Sequence, residues 1–139
     1  MTNEEVIEIL RRARKLYLKE YNLMMHKEAL RATLLGSGIR YDRDKVMSSP
    51  TDKMCDTCAE IDRIERELDG VRDKIIETRL LVTKMVNRLP RKERYVLRMY
   101  YLNGWTIAEI SKALSMSPRH CFRLKDNGIR MVAESWKEK

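Results

Sequence analysis

Over residues 3–35 the apolar positions recur with a helical period. Val6, Ile9, Ala13, Leu16, Leu23, Leu30 and Leu34 fall on one heptad-like stripe, with no Pro or Gly from Asn3 to Leu35. Two charged residues, Glu20 and Lys27, interrupt that stripe. Thr2 followed by Glu5 three residues on forms a capping-box pattern at the start. Gly36 and Gly38 are expected to stop the helix. The segment GSGIRYDRDKVMSSP, residues 36–50, then reads as a loop anchored by Ile39, Tyr41 and Val46. Ser49 and Pro50 supply an N-cap and a first residue for a second helix, which the pattern carries to Leu89. Its stripe is Met54, Thr57, Ile61, Ile64, Leu68, Val71, Ile75, Thr78, Val82, Met85 and Leu89, spaced by threes and fours, as in a coiled-coil seam. Gly70 is its weak point, because glycine costs about 1 kcal/mol relative to alanine inside a helix.

The pattern changes at Pro90. Proline suits the first turn of a helix, where its missing N–H has no intrahelical partner anyway, so RKERYVLRMYYL reads as a new short helix. Val96, Leu97, Tyr100 and Tyr101 form its apolar set, flanked by Met99 and Leu102, and Asn103-Gly104 is a left-handed stop. Thr106 and Glu109 make a second capping box at the start of IAEISKAL. Ser115 and Met116 form a turn, Ser117 caps a third helix and Pro118 takes its first position. The two helices around that turn are set to cross steeply, with Ile110, Leu114, Met116, Cys121 and Leu124 at the buried offsets and small Ser111 at the closest approach. This is the spacing of a helix-turn-helix over residues 106–126.

With those positions buried, Pro118, Arg119, Phe122, Arg123 and Asp126 point outward, beside Ser117 and His120. Arg119 and Arg123 are the candidates for guanine O6/N7 or phosphate, since a guanidinium can donate two bonds in one plane. Phe122 lies between them and suits a thymine methyl. Thr106, Lys112, Arg91 and Lys92 are candidate phosphate contacts. The fold class expected is all-α. A long, coiled-coil-like helical hairpin over residues 1–89 is followed by a three-helix DNA-binding module over residues 90–139.

Composition agrees with solvated helices. Charged residues make up 36% and the single Phe and two Trp leave little for a thick core. The formal charge is +8, with most of the excess in residues 90–139, a polyanion-binding footprint that basic ribosomal and membrane-surface proteins share; the helix-turn-helix makes double-stranded DNA the expected partner. No apolar run approaches a bilayer's thickness and no basic-then-apolar leader opens the sequence, so the expectation is a cytoplasmic protein without membrane contact. The three cysteines are then reduced thiols. The two long helices can close on each other within one chain or exchange partners between chains. Because helix-turn-helix proteins commonly read paired half-sites, a homodimer is expected.

The stretch LPRKERYVLRMYYLNGWTIAEISKALSMSPRHCFRLKDNGIRMVAE resembles region four of bacterial sigma factors. It is more similar still to small phage transcriptional regulators of the ArpU and RinA late-activator type, which precede a sigma-like recognition helix with a helical part. Glu109, Ile110, Leu114, Ser117, Arg119, His120 and Arg123 carry the likeness, which is specific over residues 89–133. It implies promoter binding, control of a phage operon in a bacterial host cell and a possible contact with host RNA polymerase. Two positions depart from the pattern. Ser115 stands where such turns often have glycine, implying strain, and Gly128 stands where alanine is common, implying a kinked or shortened last helix. A full sigma factor is not implied, because Tyr17, Tyr21 and Tyr41 are the only aromatics before residue 90 and make no cluster for stacking on melted bases.

Other constellations are weaker. Cys55 and Cys58 have CxxC spacing without a second pair, so no metal is expected. No phosphate-binding glycine loop or nucleophile-base pair occurs, so neither catalysis nor a cofactor is expected. Glu65 and Asp69 beside Arg66 and Arg72 read as surface ion pairs along one helix. Two competing functions remain: a small terminase subunit bound to a packaging site, and an adaptor that grips RNA polymerase without touching DNA.

Overall fold

A computed structural model describes residues 2–40 and 50–136, with side chains omitted at 36–40 and 50–52. Among these the fold is all-α: α1 (Asn3–Arg40), α2 (Pro50–Val86), α3 (Arg91–Leu97) continued by a π-helical turn (Arg98–Leu102), α4 (Ile107–Leu114) and α5 (Pro118–Ser135). The chain packs as two units, Lys19–Asp73 and the discontinuous set Met1–Leu18 with Lys74–Lys139. The boundary expected after Leu89 follows the turn before α3, whereas packing joins the start of α1 and the end of α2 to everything downstream.

In the Lys19–Asp73 unit α1 and α2 run antiparallel within one chain. Lys27 meets Glu65 at 3.5 Å and Glu20 meets Arg72 at 2.9 Å, so the partner number falls as the α1 number rises. Lys19 and Glu67 add a third pair at 3.6 Å. The two residues that break the apolar stripe of α1 are thus matched by opposite charges on α2. Here the structure corrects the expectation of pairs along one helix: Glu65 and Arg72 reach across to α1. Ile64, Leu68 and Val71 form the buried stripe of α2 in this unit.

In the discontinuous unit, Val6, Leu10 and Ala13 of α1 and Val82, Met85 and Val86 of α2 share one core with Leu97, Tyr101, Leu102, Ile129, Val132 and Ala133. Leu10, off the expected stripe, is fully buried. The Thr2–Glu5 capping box is formed, with Glu5 N–H donating to Thr2 Oγ1 at 3.1 Å and Thr2 N–H to Glu5 Oε1 at 2.9 Å.

Several boundaries differ from the sequence expectation. Gly36 and Gly38 do not stop α1, which continues to Arg40. Glycine weakens a helix but still donates its N–H, unlike proline. Tyr41, Val46 and Ser49 lie outside the described residues, as does the side chain of Ile39. The second helix ends at Val86 instead of Leu89, and Leu89 N–H closes a tight turn on Val86 C=O at 3.0 Å. The residue before a proline is driven from helical geometry, so the helix stops before Leu89. Leu89 is buried all the same. Pro90 is the N-cap of α3 and not its first residue, with extended ψ of 160°.

The segment expected as one α-helix to Leu102 widens into the π-turn after Leu97. The wider turn brings Leu102, expected only to flank the apolar set, into the core beside Tyr101. Gly104 then adopts a φ of +74° against the ring of Tyr17, the left-handed stop required at that point. No helix among the described residues is long and apolar enough to cross a membrane.

Candidate nucleic-acid interface

Local capping sets up the helix-turn-helix. Thr106 Oγ1 accepts from Glu109 N–H at 3.2 Å while Glu109 Oε1 accepts from Thr106 N–H at 2.9 Å, fixing the start of α4. At the other end Ser115 takes left-handed angles, φ 55° and ψ 45°, and Met116 N–H returns to Ser111 C=O at 3.0 Å. A left-handed serine stores about 1 kcal/mol relative to glycine, the strain anticipated at this turn. Ser117 Oγ accepts from His120 N–H at 3.2 Å, and Pro118 follows in the first turn of α5.

The crossing of α4 and α5 buries Ile110, Cys121 and Leu124 with Val96 of α3, bordered by Leu114, Met116, Met99 and Trp105. Ser111 is buried at the approach, its hydroxyl donating to Ala108 C=O at 2.9 Å. Burial pushes the Cys121 thiol pKa up, so this cysteine stays a neutral packing group. Cys55 and Cys58 are exposed. No group of three potential metal ligands occurs among the described residues.

Gly128 does not kink α5, which runs unbroken to Ser135. It is the point where α5 lies closest to α3. A Cβ there would stand 2.9 Å from Leu97 Cδ1 and 3.4 Å from Glu93 Cβ. The far end of α5 is held by Arg88, which donates to Ser135 C=O at 3.3 Å and lies 4.6 Å from the centre of the Trp136 ring. A cation at a helix C-terminus is favoured by the exposed carbonyls there.

With that packing fixed, Pro118, Arg119, Phe122, Arg123 and Asp126 are all exposed on α5. Arg119 and Arg123 stand one turn apart with Phe122, itself 49% exposed, between them. Ser117 is exposed at the cap and His120 half-buried behind it. Ser117 and Thr106 each accept one capping hydrogen bond, which leaves the O–H free to donate to a phosphate oxygen. Lys112 is exposed on α4, and Arg91 and Lys92 are exposed in the first turn of α3. Among the described residues none of these cations is engaged in an ion pair. The structure therefore gathers Ser117, Arg119, His120, Phe122 and Arg123 on one element and distributes the remaining four over its two neighbours.

Three further residues, Arg14, Lys125 and Arg79, shape this region though the sequence pattern did not mark them out. Arg14 Nη1, from α1, donates to Tyr100 C=O at 2.6 Å and Trp105 C=O at 3.1 Å, and its guanidinium carbon lies 4.0 Å from the centre of the Tyr100 ring. Lys125 Nζ lies 5.0 Å from the Tyr100 ring, 5.8 Å from Tyr101 and 5.6 Å from Phe122. Lys125, three positions after Phe122, was findable by helical spacing alone. Arg14 was not, since its acceptors lie 86 and 91 residues away. Arg79 of α2 plays a similar part, donating to Leu102 C=O at 2.9 Å. The carbonyls of the π-turn and its exit thus find donor partners in arginines of both long helices.

Residues 79–124 match the family model described as Sigma-70, region 4. The match opens in the last turns of α2 and closes inside α5, taking in α3, α4, the turn and the first two turns of α5. No curated protein and no solved structure matches the chain. The caps, the shared core of α4 and α5 and this match together define a sigma-region-four-like helix-turn-helix, a DNA-binding module of transcription regulators.

Proposed function

We propose that the protein is a sequence-specific double-stranded DNA-binding transcription regulator, a phage late-gene activator of the ArpU and RinA type. It acts at a promoter in the cytoplasm of a bacterial host, as a homodimer on paired half-sites, and contacts host RNA polymerase. It has no enzymatic activity and needs no cofactor. The observation that carries the reading is the exposed Arg119–Phe122–Arg123 face of α5, backed by buried Cys121 and Leu124. A face of two exposed arginines on a capped helix suits the major groove, where a guanidinium spans guanine O6 and N7.

In this reading α5 enters the groove and Phe122 meets a thymine methyl. Ser117, His120, Thr106, Lys112, Arg91 and Lys92 steady the complex through phosphates. Footprinting across the encoding genome, followed by titration of the bound site with Arg119→Ala and Arg123→Ala, tests it. Each substitution is expected to cost about 1–3 kcal/mol on the specific site. Unchanged binding by both variants refutes the assigned face. Ring assemblies on a packaging site favour a terminase subunit instead, and absence of salt-dependent duplex binding favours an adaptor.

A further inference from the structure

The exposed face of α5 does not end at its own helix. From Phe122 it continues through Lys125 to the Tyr100 ring, and from there to Arg14 of α1. Cations and aromatic rings alternate along this path, so the side of α1 bearing Arg14 lies beside the recognition helix. Arg11 and Lys15 flank Arg14 on α1, are separated from each other by one helical turn, and are both exposed. Neither is tied up in an ion pair among the described residues. The Tyr101 phenol, pushed up to about 12 first of all by burial, is drawn the other way by the charges of Arg11 and Arg14. Arg11 and Arg14 thus both lie within electrostatic reach of the Tyr101 phenol. The opposing charges in this region are Asp126, which also bears on Tyr101, and Glu4 and Glu8, which share the exposed side of α1 with Arg11 and Lys15.

We propose that α1 is part of the DNA-binding surface: Arg11 and Lys15 grip the phosphate backbone flanking the segment that α5 reads, with Lys125 bridging the two. The proposal rests on the DNA-binding reading above and assigns that surface a second element. A duplex backbone is the partner of matching charge and geometry, because it presents regularly spaced anions beside any groove occupied by a helix. Contacts of this kind position the protein without reading bases.

Fluorescence anisotropy of the full chain on a labelled 30-base-pair duplex of arbitrary sequence, titrated over a range of salt concentrations, tests the assignment. Arg11→Ala with Lys15→Ala is expected to weaken binding about tenfold at low salt and to reduce the salt slope by about 1 to 2. A control of equal charge loss on α2, Lys53→Ala with Arg66→Ala, is expected to leave the slope unchanged. The Arg11/Lys15 variant should lower affinity for a footprinted site and for arbitrary duplex by the same factor, whereas Arg119→Ala should lower only the preference between them. Circular dichroism and a thermal melt matching the parent confirm that the variant is folded. An unchanged slope in the α1 variant overturns the proposal, and so does an equal loss in the α2 control, which would mark a net-charge effect. Absence of salt-dependent binding by the unaltered chain refutes the underlying DNA-binding reading and this proposal with it.

Discussion

Replacing Arg14 by alanine removes one side chain that holds two carbonyls and covers one ring. Hydrogen bonds from a charged donor contribute about 1.5–3 kcal/mol each, and a cation over an aromatic face about 0.5–2 kcal/mol. Those values do not add in full here. Both bonds come from the same nitrogen, Arg14 is only half-buried, and water entering the vacated space takes over part of the carbonyls' needs. The expected loss is about 2–4 kcal/mol. For a chain of this size that lowers the thermal midpoint by about 6–16 °C. Melts followed by circular dichroism at 222 nm, with urea titration alongside, measure the loss. Arg14→Lys keeps the charge but has a shorter side chain whose ammonium stops short of the Nη1 position and lacks the flat guanidinium that lies over Tyr100, and should recover no more than about half. A midpoint for Arg14→Ala within about 2 °C of the parent would show that the carbonyls of Tyr100 and Trp105 do not depend on α1, and the reasoning would fail.

Glycines at two helical positions should respond in opposite directions. Gly70 faces open space, so Gly70→Ala is expected to stabilise by about 0.5–1 kcal/mol in urea unfolding. At Gly128 the same change meets fully buried Leu97, and the helix-propensity gain should be cancelled or reversed, giving a loss of about 1 kcal/mol. Stability should also fall at alkaline pH through Tyr101. Its folded pKa of about 12 exceeds the ordinary 10, so the unfolded state ionises first and stability present below pH 10 is lost between about pH 10 and 12. Tyr101→Phe should remove roughly 2–3 kcal/mol of that alkaline loss in urea titrations at fixed pH, and an identical slope in both proteins would contradict the assignment.

Features decided within one helical turn were legible before any coordinates. Thr106 with Glu109, Ser117 with Pro118, and Thr2 with Glu5 each carry their partner three residues away or less. The outward face of α5 followed from them once Ile110, Cys121 and Leu124 were placed inside. What escaped were interactions whose partners lie far along the chain. Glu20 and Lys27 looked like flaws in an apolar stripe because their answering charges, Arg72 and Glu65, sit on the other helix. The π-turn had no local signature, since nothing in RMYYL differs from an ordinary amphipathic helix. Its widening is matched by Arg14 and Arg79, which no periodicity connects to it. Gly128 read as a flaw for the same reason: its lack of a side chain matters to Leu97 and Glu93, on another helix.

The core that supports the recognition helix draws on Val6 and Leu10 at one end of the sequence and on Val132 and Ala133 at the other. Such a core has a consequence in time. A chain emerging from the ribosome presents Val6 and Leu10 long before the second half of α5 exists to cover them, so the core beneath α5 cannot close until that half has been made. Premature termination within α5 leaves the α1 face uncovered and exposed to aggregation, even though Arg119, Phe122 and Arg123 have already been made. Support for the exposed Arg119–Phe122–Arg123 face is thereby tied to synthesis of the second half of α5, and a copy that stops before Val132 lacks it.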